Sequence, residues 1–292
     1  MAAALPSVVG VEPEACEGDQ RRRMAIHYEK DDEHIVLITI DRPEAKNSAD
    51  MEHFKVLRES WERFDADDDA WVAIITGVGD AFFTGADLKK YIPEITKMQS
   101  QIANEGVMEI DGYRLDDGTK AVLRGAKIWK PIIAAVNGFC TAGGMEMLGG
   151  VDIRVACPEA KFAVMEPKRG LFAGGGTTVR LPRQVPFPQA MEFLLCADLI
   201  PAQRAYEMGF LNAIVPRDEL LDKAYEFARR MTANAPLAVR ATKQAVWEGL
   251  GMSLKDAYKN ESKISSYVFQ TEDAKEGPKA FAEKRPPNWQ GK

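Results

Sequence analysis

The stretch Ile132-Ile133-Ala134-Ala135-Val136-Asn137-Gly138-Phe139-Cys140-Thr141-Ala142-Gly143-Gly144-Met145-Glu146-Met147 decides how the rest of the chain is read. Its first five residues are apolar, have the length of a buried strand and follow a Lys130-Pro131 boundary. Small residues then turn the chain into a Met- and Leu-rich segment of helical character. Gly143 and Gly144 therefore fall near a helix N-terminus, where backbone N–H groups lack intrahelical partners and the helix dipole favours negative charge. Glu146 follows on the first turn, on nearly the same face as Gly143. An anion hole beside a carboxylate suits proton transfer next to a carbonyl that becomes negative during reaction. The plainer alternative is that paired glycines serve packing and that a first-turn Glu is only a dipole partner.

The chain has 292 residues, of which 46% are hydrophobic, enough to bury one large core. No apolar run reaches the length of a membrane span, and the first two dozen residues are too acidic and too polar for a signal or transit peptide. Residues 1–23 read as a flexible tail. Its Arg21-Arg22-Arg23 cluster reads as a solvated patch, because a formal net charge of −6 opposes binding to nucleic acid. The four cysteines, Cys16, Cys140, Cys157 and Cys196, lack CxxC spacing, so reduced thiols and a cytoplasmic location are expected. The three histidines form no metal-ligand pattern, and no metal is expected.

Working outward, Ile35 to Ile40 reads as a strand that exits at Asp41-Arg42-Pro43. A helix from Met51 to Phe64 is predicted by the spacing of Phe54, Leu57, Trp61 and Phe64. Trp71 to Gly77 is the next strand. The piece Ala81-Phe82-Phe83-Thr84-Gly85-Ala86-Asp87-Leu88-Lys89 then repeats the plan of the opening stretch, with a small-residue corner leading to a helix that Asp87 would cap. An oxyanion hole needs two donors from separate segments, and the Ala86 and Gly143 amides could supply them. Tyr91 to Gly118 shows broken periodicity and reads as a mobile cover over a pocket. Ile153 to Ala156 and Lys161 to Val164 read as short strands, ending at Glu166-Pro167. The glycine run at 174–176 lacks the residues of a phosphate loop. From about Pro201 the chain turns helical, with stretches at 202–208, 220–231, 237–249 and 253–269.

Taken in order, these marks resemble the enoyl-CoA hydratase/isomerase (crotonase) family, from roughly Ile26 to Trp289. They are Asp41-Arg42-Pro43 with Asn47, Gly85 to Lys89, Lys130-Pro131 through Gly138, Gly143-Gly144 with Glu146, Phe162 with Glu166, Gly174 to Arg180, and Ala280 to Arg285. The resemblance implies an α/β fold: a crotonase-like spiral of ββα superhelical turns over residues 24–216, and a C-terminal helical region over 217–292 that builds a homotrimer, often paired into a hexamer. It implies an acyl-CoA thioester as substrate, with coenzyme A entering as part of that substrate and no tightly bound cofactor. Nucleic acid and membrane partners are not expected.

The resemblance further implies that the N–H groups of Ala86 and Gly143 hold the thioester oxygen and that Glu146 and Glu166 are the two catalytic glutamates of a hydratase. Lys46, Asn47 and Ser48, together with Ala86, Asp87, Leu88 and Lys89, would run along the cofactor portion. Gly143 and Gly174 would also touch the thioester. Phe281 and Lys284 would sit near its adenine and phosphate, reaching in from a neighbouring subunit. Hydration needs two carboxyl groups with separated pKa values around one water. Helix position should help keep Glu146 ionised, and Lys168 and Arg169 would do the same for Glu166 if they point inward. The sequence leaves open which glutamate holds the proton. Ala142 departs from a glycine, Ser48-Ala49 from Ala-Leu and Ala173 from a frequent proline, all near the acyl pocket. The alternatives are an isomerase or another thioester enzyme of the same fold, and a non-enzymatic acyl-CoA or RNA binder, which the glutamate pair and the acidic balance oppose.

Overall fold

The structure, a computed structural model, describes residues 26–105 and 109–292. The segment read as a flexible tail, with its arginine cluster and Cys16, lies outside the described residues. Strands β1 (Ile26–Lys30) and β2 (Ile35–Ile40) pair antiparallel, Ile26 opposite Ile40. Helix α1 (Met51–Ala66) is capped by Asp50, whose carboxylate accepts from the His53 N–H, and it buries the expected stripe of Phe54, Leu57, Trp61 and Phe64. Trp61 satisfies its indole N–H on the Ala121 carbonyl at 3.0 Å. Strands β3 (Val72–Gly77) and β4 (Ala81–Phe83) follow, then α2 (Tyr91–Glu105), the hairpin β5 (Glu109–Ile110) and β6 (Tyr113–Arg114), and α3 (Asp117–Ala121).

The two-strands-then-helix pattern recurs in β7 (Ile132–Val136), β8 (Phe139–Thr141) and α4 (Gly143–Leu148), and again in β9 (Ile153–Ala156), β10 (Lys161–Ala163) and α5 (Thr177–Arg180). After α6 (Phe187–Met191), a π-helical turn at Glu192–Cys196, β11 (Ile200–Pro201), α7 (Ala202–Glu207) and β12 (Ala213–Ile214), the chain is helical. Its last helices are α8 (Leu220–Thr232), α9 (Pro236–Gly249), α10 (Leu254–Val268) and α11 (Glu272–Glu283).

In each repeat the first strand enters a large sheet and the second a small one, which makes the chain a spiral. The large sheet runs β1-β2-β3-β7-β9-β12 and is parallel from β2 onward; the small one runs β11-β10-β8-β4, with β10, β8 and β4 parallel. Both faces of the large sheet are covered, which is why β3 and β7 are almost wholly apolar. Alternate residues divide between two cores. Ile38, Ile75, Ala134 and Val136 face the main core with Phe82, Phe83, Phe162 and the α1 stripe. Ile35, Ile74, Ile133 and Val155 face Leu220, Ala224 and Ala228, one stripe of α8. The first helix of the segment read as a separate helical region is thus packed on the sheet.

One sequence expectation is corrected. The 91–118 segment is not aperiodic: Ile95 and Met98, with Ile102, form the apolar stripe of α2 and pack on Met51, Ile110, Tyr113 and Leu115. Pro93 falls in the first turn of α2, where no intrahelical N–H bond is lost. The helix is regular from Tyr91, and Asp87 caps the turn that leads into it: its carboxylate accepts from the Lys89 N–H, its carbonyl accepts from the Tyr91 N–H at 2.7 Å, and it also pairs with Arg42 at 3.0 Å. Among the described residues no helix is long and apolar enough to cross a membrane, and no cluster of side chains is arranged to hold a metal ion.

Candidate active site

Two strand-to-helix corners meet at the centre of the molecule, one after β4 and one after β8. They approach so closely that side chains are excluded. A Cβ added to Gly85 would lie 2.6 Å from the Gly143 nitrogen, and one added to Gly144 would lie 2.1 Å from the Phe83 carbonyl oxygen. Gly85 also has φ +85°, in the left-handed region that favours glycine. Two buried asparagines brace the turn leading into the first corner. Asn137 donates to the Gly79 and Ala81 carbonyls and accepts from the Gly77 N–H; Asn47 donates to the Val78 and Ala81 carbonyls and accepts from the Arg42 N–H.

Each corner brings one residue to the lining of the same cavity. Ala86 forms a parallel bridge with Ala49 through the Gly85 carbonyl and the Asp87 N–H. Along an extended chain successive N–H groups point to opposite sides, so the Ala86 N–H points away from Ala49. Gly143 is the first residue of α4, where the N–H has no intrahelical acceptor. Both residues line a cavity of about 450 Å³ together with Glu146, Glu166, Gly174 and Gly175. Its other wall is apolar, with Phe54, Leu88, Tyr91, Ile92, Leu115 and Phe172.

The two carboxyl groups differ in surroundings. Glu146 accepts the Gly175 N–H through Oε1. Burial raises its pKa, and that amide with the charges of Arg124 and Arg180 pulls against the rise. Glu166 Oε2 is buried with no hydrogen-bond partner. Burial, reinforced by the nearby Glu146 charge and opposed by its own backbone N–H, pushes Glu166 up to about 7. The rise at Glu146 is opposed by an amide and two cations, while that at Glu166 is reinforced by a like charge, so the surroundings push the two pKa values apart, with Glu166 the better holder of the proton.

This geometry coincides with clear kinship. The chain matches the family model described as enoyl-CoA hydratase/isomerase over residues 30–292. The chain belongs to the enoyl-CoA hydratase/isomerase family. Among its relatives is the enoyl-CoA hydratase EchA19 of Mycobacterium tuberculosis, 40% identical over 259 residues that cover 89% of this chain and 94% of the relative. The (E)-benzylidenesuccinyl-CoA hydratase of Thauera aromatica is 38% identical, covering 88% and 96%. A crystal structure of an enoyl-CoA hydratase from Mycobacterium tuberculosis superposes with a TM-score of 0.78 at 38% identity, covering 92% and 99%. The spiral with its helical C-terminal region is thus the crotonase fold, and the protein is an enzyme of that family, most like its hydratases.

Of the residues expected in a hydratase/isomerase site, Ala86, Leu88, Gly143, Glu146, Glu166 and Gly174 come together in the cavity. Others do not. Asn47 is fully buried, with its amide hydrogens and its oxygen engaged in the brace, so its side chain has little left to offer a cofactor. Lys46 pairs with Asp80 beyond the cavity lining, and the Ser48 carbonyl accepts from Arg42. Asp87 is spent on Arg42, and Lys89 is exposed. Phe281 and Lys284 lie at the end of α11, Phe281 87% exposed, and neither lines this cavity.

At Glu146 the groups that oppose the rise caused by burial are the Gly175 N–H, Arg124 and Arg180. The electrostatic expectation for Glu166 is corrected. Lys168 turns outward to Asp198 at 2.6 Å, and Arg169 does not figure among the charges acting on Glu166. Gly175 and Arg124, which act on Glu146, and Tyr91, on the cavity wall, were not among the expected site residues. Only the unbroken glycine run hinted at the first; a lone loop arginine carries no pattern.

Proposed function

We propose that the protein hydrates trans-2-enoyl-CoA thioesters, adding water syn across C2=C3. The observation that carries this reading is the unequal pair, Glu146 hydrogen-bonded and flanked by cations, Glu166 unpartnered and raised to about 7, in one cavity. Water sits between them. Glu146 takes a proton from the water as its oxygen bonds to C3. The C2=C3 electron pair shifts toward the thioester, whose oxygen gains charge and is held by the Ala86 and Gly143 amides, each worth on the order of 3 kcal/mol in the transition state. Protonated Glu166 then delivers its proton to C2, and the proton on Glu146 returns to Glu166 to reset the pair.

Coenzyme A is part of the substrate in this reading, and no cofactor is held between turnovers. The 46–48 and 86–89 segments would guide it, by backbone and by Lys46 and Lys89. Phe281 and Lys284 would act from a neighbouring protomer in a trimer or hexamer. Large apolar side chains left exposed on the last helices, among them Leu254, Tyr258 and Phe269, support such assembly.

The test follows enoyl-thioester ultraviolet absorbance with a panel of trans-2-enoyl-CoA substrates, from short to bulky and aromatic. Glu146→Gln and Glu166→Gln should each lower kcat by on the order of 10³ with thioester binding near normal. A need for only one of the two glutamates would turn the reading toward an isomerase.

A further inference from the structure

Arg124 has no part in the chemistry set out above, yet the backbone delivers it to the site. Helix α3 ends in a left-handed residue, Leu123 at φ 63°, with the Leu123 N–H on the Lys120 carbonyl and the Arg124 N–H reaching back to Thr119. This is the Schellman arrangement, here without the usual glycine. Arg180 pins the turn by donating to the Val122 and Leu123 carbonyls. Arg124 then reaches the glycine run, where its Nη1 donates to the Gly174 carbonyl at 2.6 Å.

That carbonyl belongs to the same peptide unit as the Gly175 N–H, which donates to Glu146 Oε1. In a trans peptide the C=O and N–H point in opposite directions within one plane, and the chain has no cis peptides among its described residues. One amide therefore lies between a guanidinium and a carboxylate. A cation on its oxygen polarises it and strengthens its N–H as a donor. The fit admits no side chain, since a Cβ on Gly175 would stand 2.1 Å from Glu146 Oε2.

We propose that Arg124 is a positioning residue that acts through the Gly174-Gly175 peptide to orient the Glu146 carboxylate and keep it ionised. The proposal rests on the reading of Glu146 as the base. The other groups facing Glu146 are Arg180 of α5, which donates to its backbone carbonyl and also favours the ionised form, Glu166 after β10, which opposes it, and the Tyr91 hydroxyl of α2. Of the two cations Arg124 is the exposed one, so it can be changed without opening the core.

The test compares Arg124→Gln and Arg124→Lys in the full chain by two measurements. Carboxyl ¹³C NMR of glutamate-labelled protein, with the Glu146 signal assigned from E146Q, should show the Glu146 midpoint rising by about one pH unit in R124Q and by less than half of that in R124K. This arm needs no turnover, so it decides the role of Arg124 even if no enoyl-CoA is hydrated and the hydratase reading falls. With a substrate, R124Q should move the acid limb of kcat/KM upward. The loss should be about tenfold below that limb and less than threefold at pH 8, with KM unchanged within twofold. An unmoved Glu146 midpoint, or a loss equal at every pH that lysine does not recover, would overturn the proposal.

Discussion

Glu166 gives up its proton at a cost to the fold. Its folded-state pKa of about 7 lies above the ordinary 4.5, so the protonated form is favoured by folding. The stability it contributes is complete below about pH 4.5 and is lost as pH rises through about 7. Glu166→Gln should therefore be more stable than the parent at pH 8, by up to about 2 kcal/mol once solvent screening at this half-buried group is allowed for, and the two should converge near pH 4.5. Urea unfolding at a series of pH values measures this, and a difference that does not change with pH would remove burial as the cause. A second residue holds backbone strain. Ala142 has φ 49° and ψ −116°, a region that only glycine enters without cost. Ala142→Gly should raise stability by about 1 kcal/mol, or a Tm gain of roughly 2–4 °C, provided the relief exceeds the added freedom of the unfolded chain.

At the scale of elements, the two glycine corners bear the closest packing in the site. Gly144→Ala would force a methyl against the Phe83 carbonyl, and a loss of about 3 kcal/mol or more is expected, seen as a Tm fall of roughly 6 °C or more with collapse of activity. These corners were legible in the sequence because a strand that turns at once into a helix needs small residues there, and a first-turn carboxylate must face the same way. The apolar runs of β3 and β7 and the stripe of α1 were legible for the same kind of reason, a periodicity set by geometry. What was hidden had no period. The Arg124–Gly174 contact joins two irregular segments 50 residues apart. Asn47 was misleading in a different way: a polar residue beside a lysine looks like surface, while its amide is buried in a turn. Phe281 and Lys284 stand at the exposed end of α11, away from the cavity.

For the whole molecule, the proposed assembly would rest on the outer surface of α9 and α10. Val246, Leu250, Leu254, Tyr258, Tyr267 and Phe269 are all exposed in the single chain, more apolar surface than a solitary protein usually presents. Light scattering after gel filtration should give three or six times the 32.3 kDa chain mass, and Tyr258→Glu with Phe269→Asp should lower it. If Phe281 and Lys284 act across the interface, the same double variant should weaken binding of coenzyme A thioesters while leaving the glutamate pair intact. The parallel ladder has a consequence in time as well as in space. The Thr76 hydroxyl meets the Ala135 carbonyl across 59 residues of chain, and the strands it joins, β3 and β7, each lead through a short second strand into one of the two corners. Long loops must close before such contacts repay the entropy lost, so folding of this topology is slow. Neither corner contains a site by itself, and a nascent or truncated chain that ends before Gly143 has no cavity to offer a thioester. The cavity is complete only when the third repeat, which brings Glu166 and Gly175, has closed on the two that carry the corners.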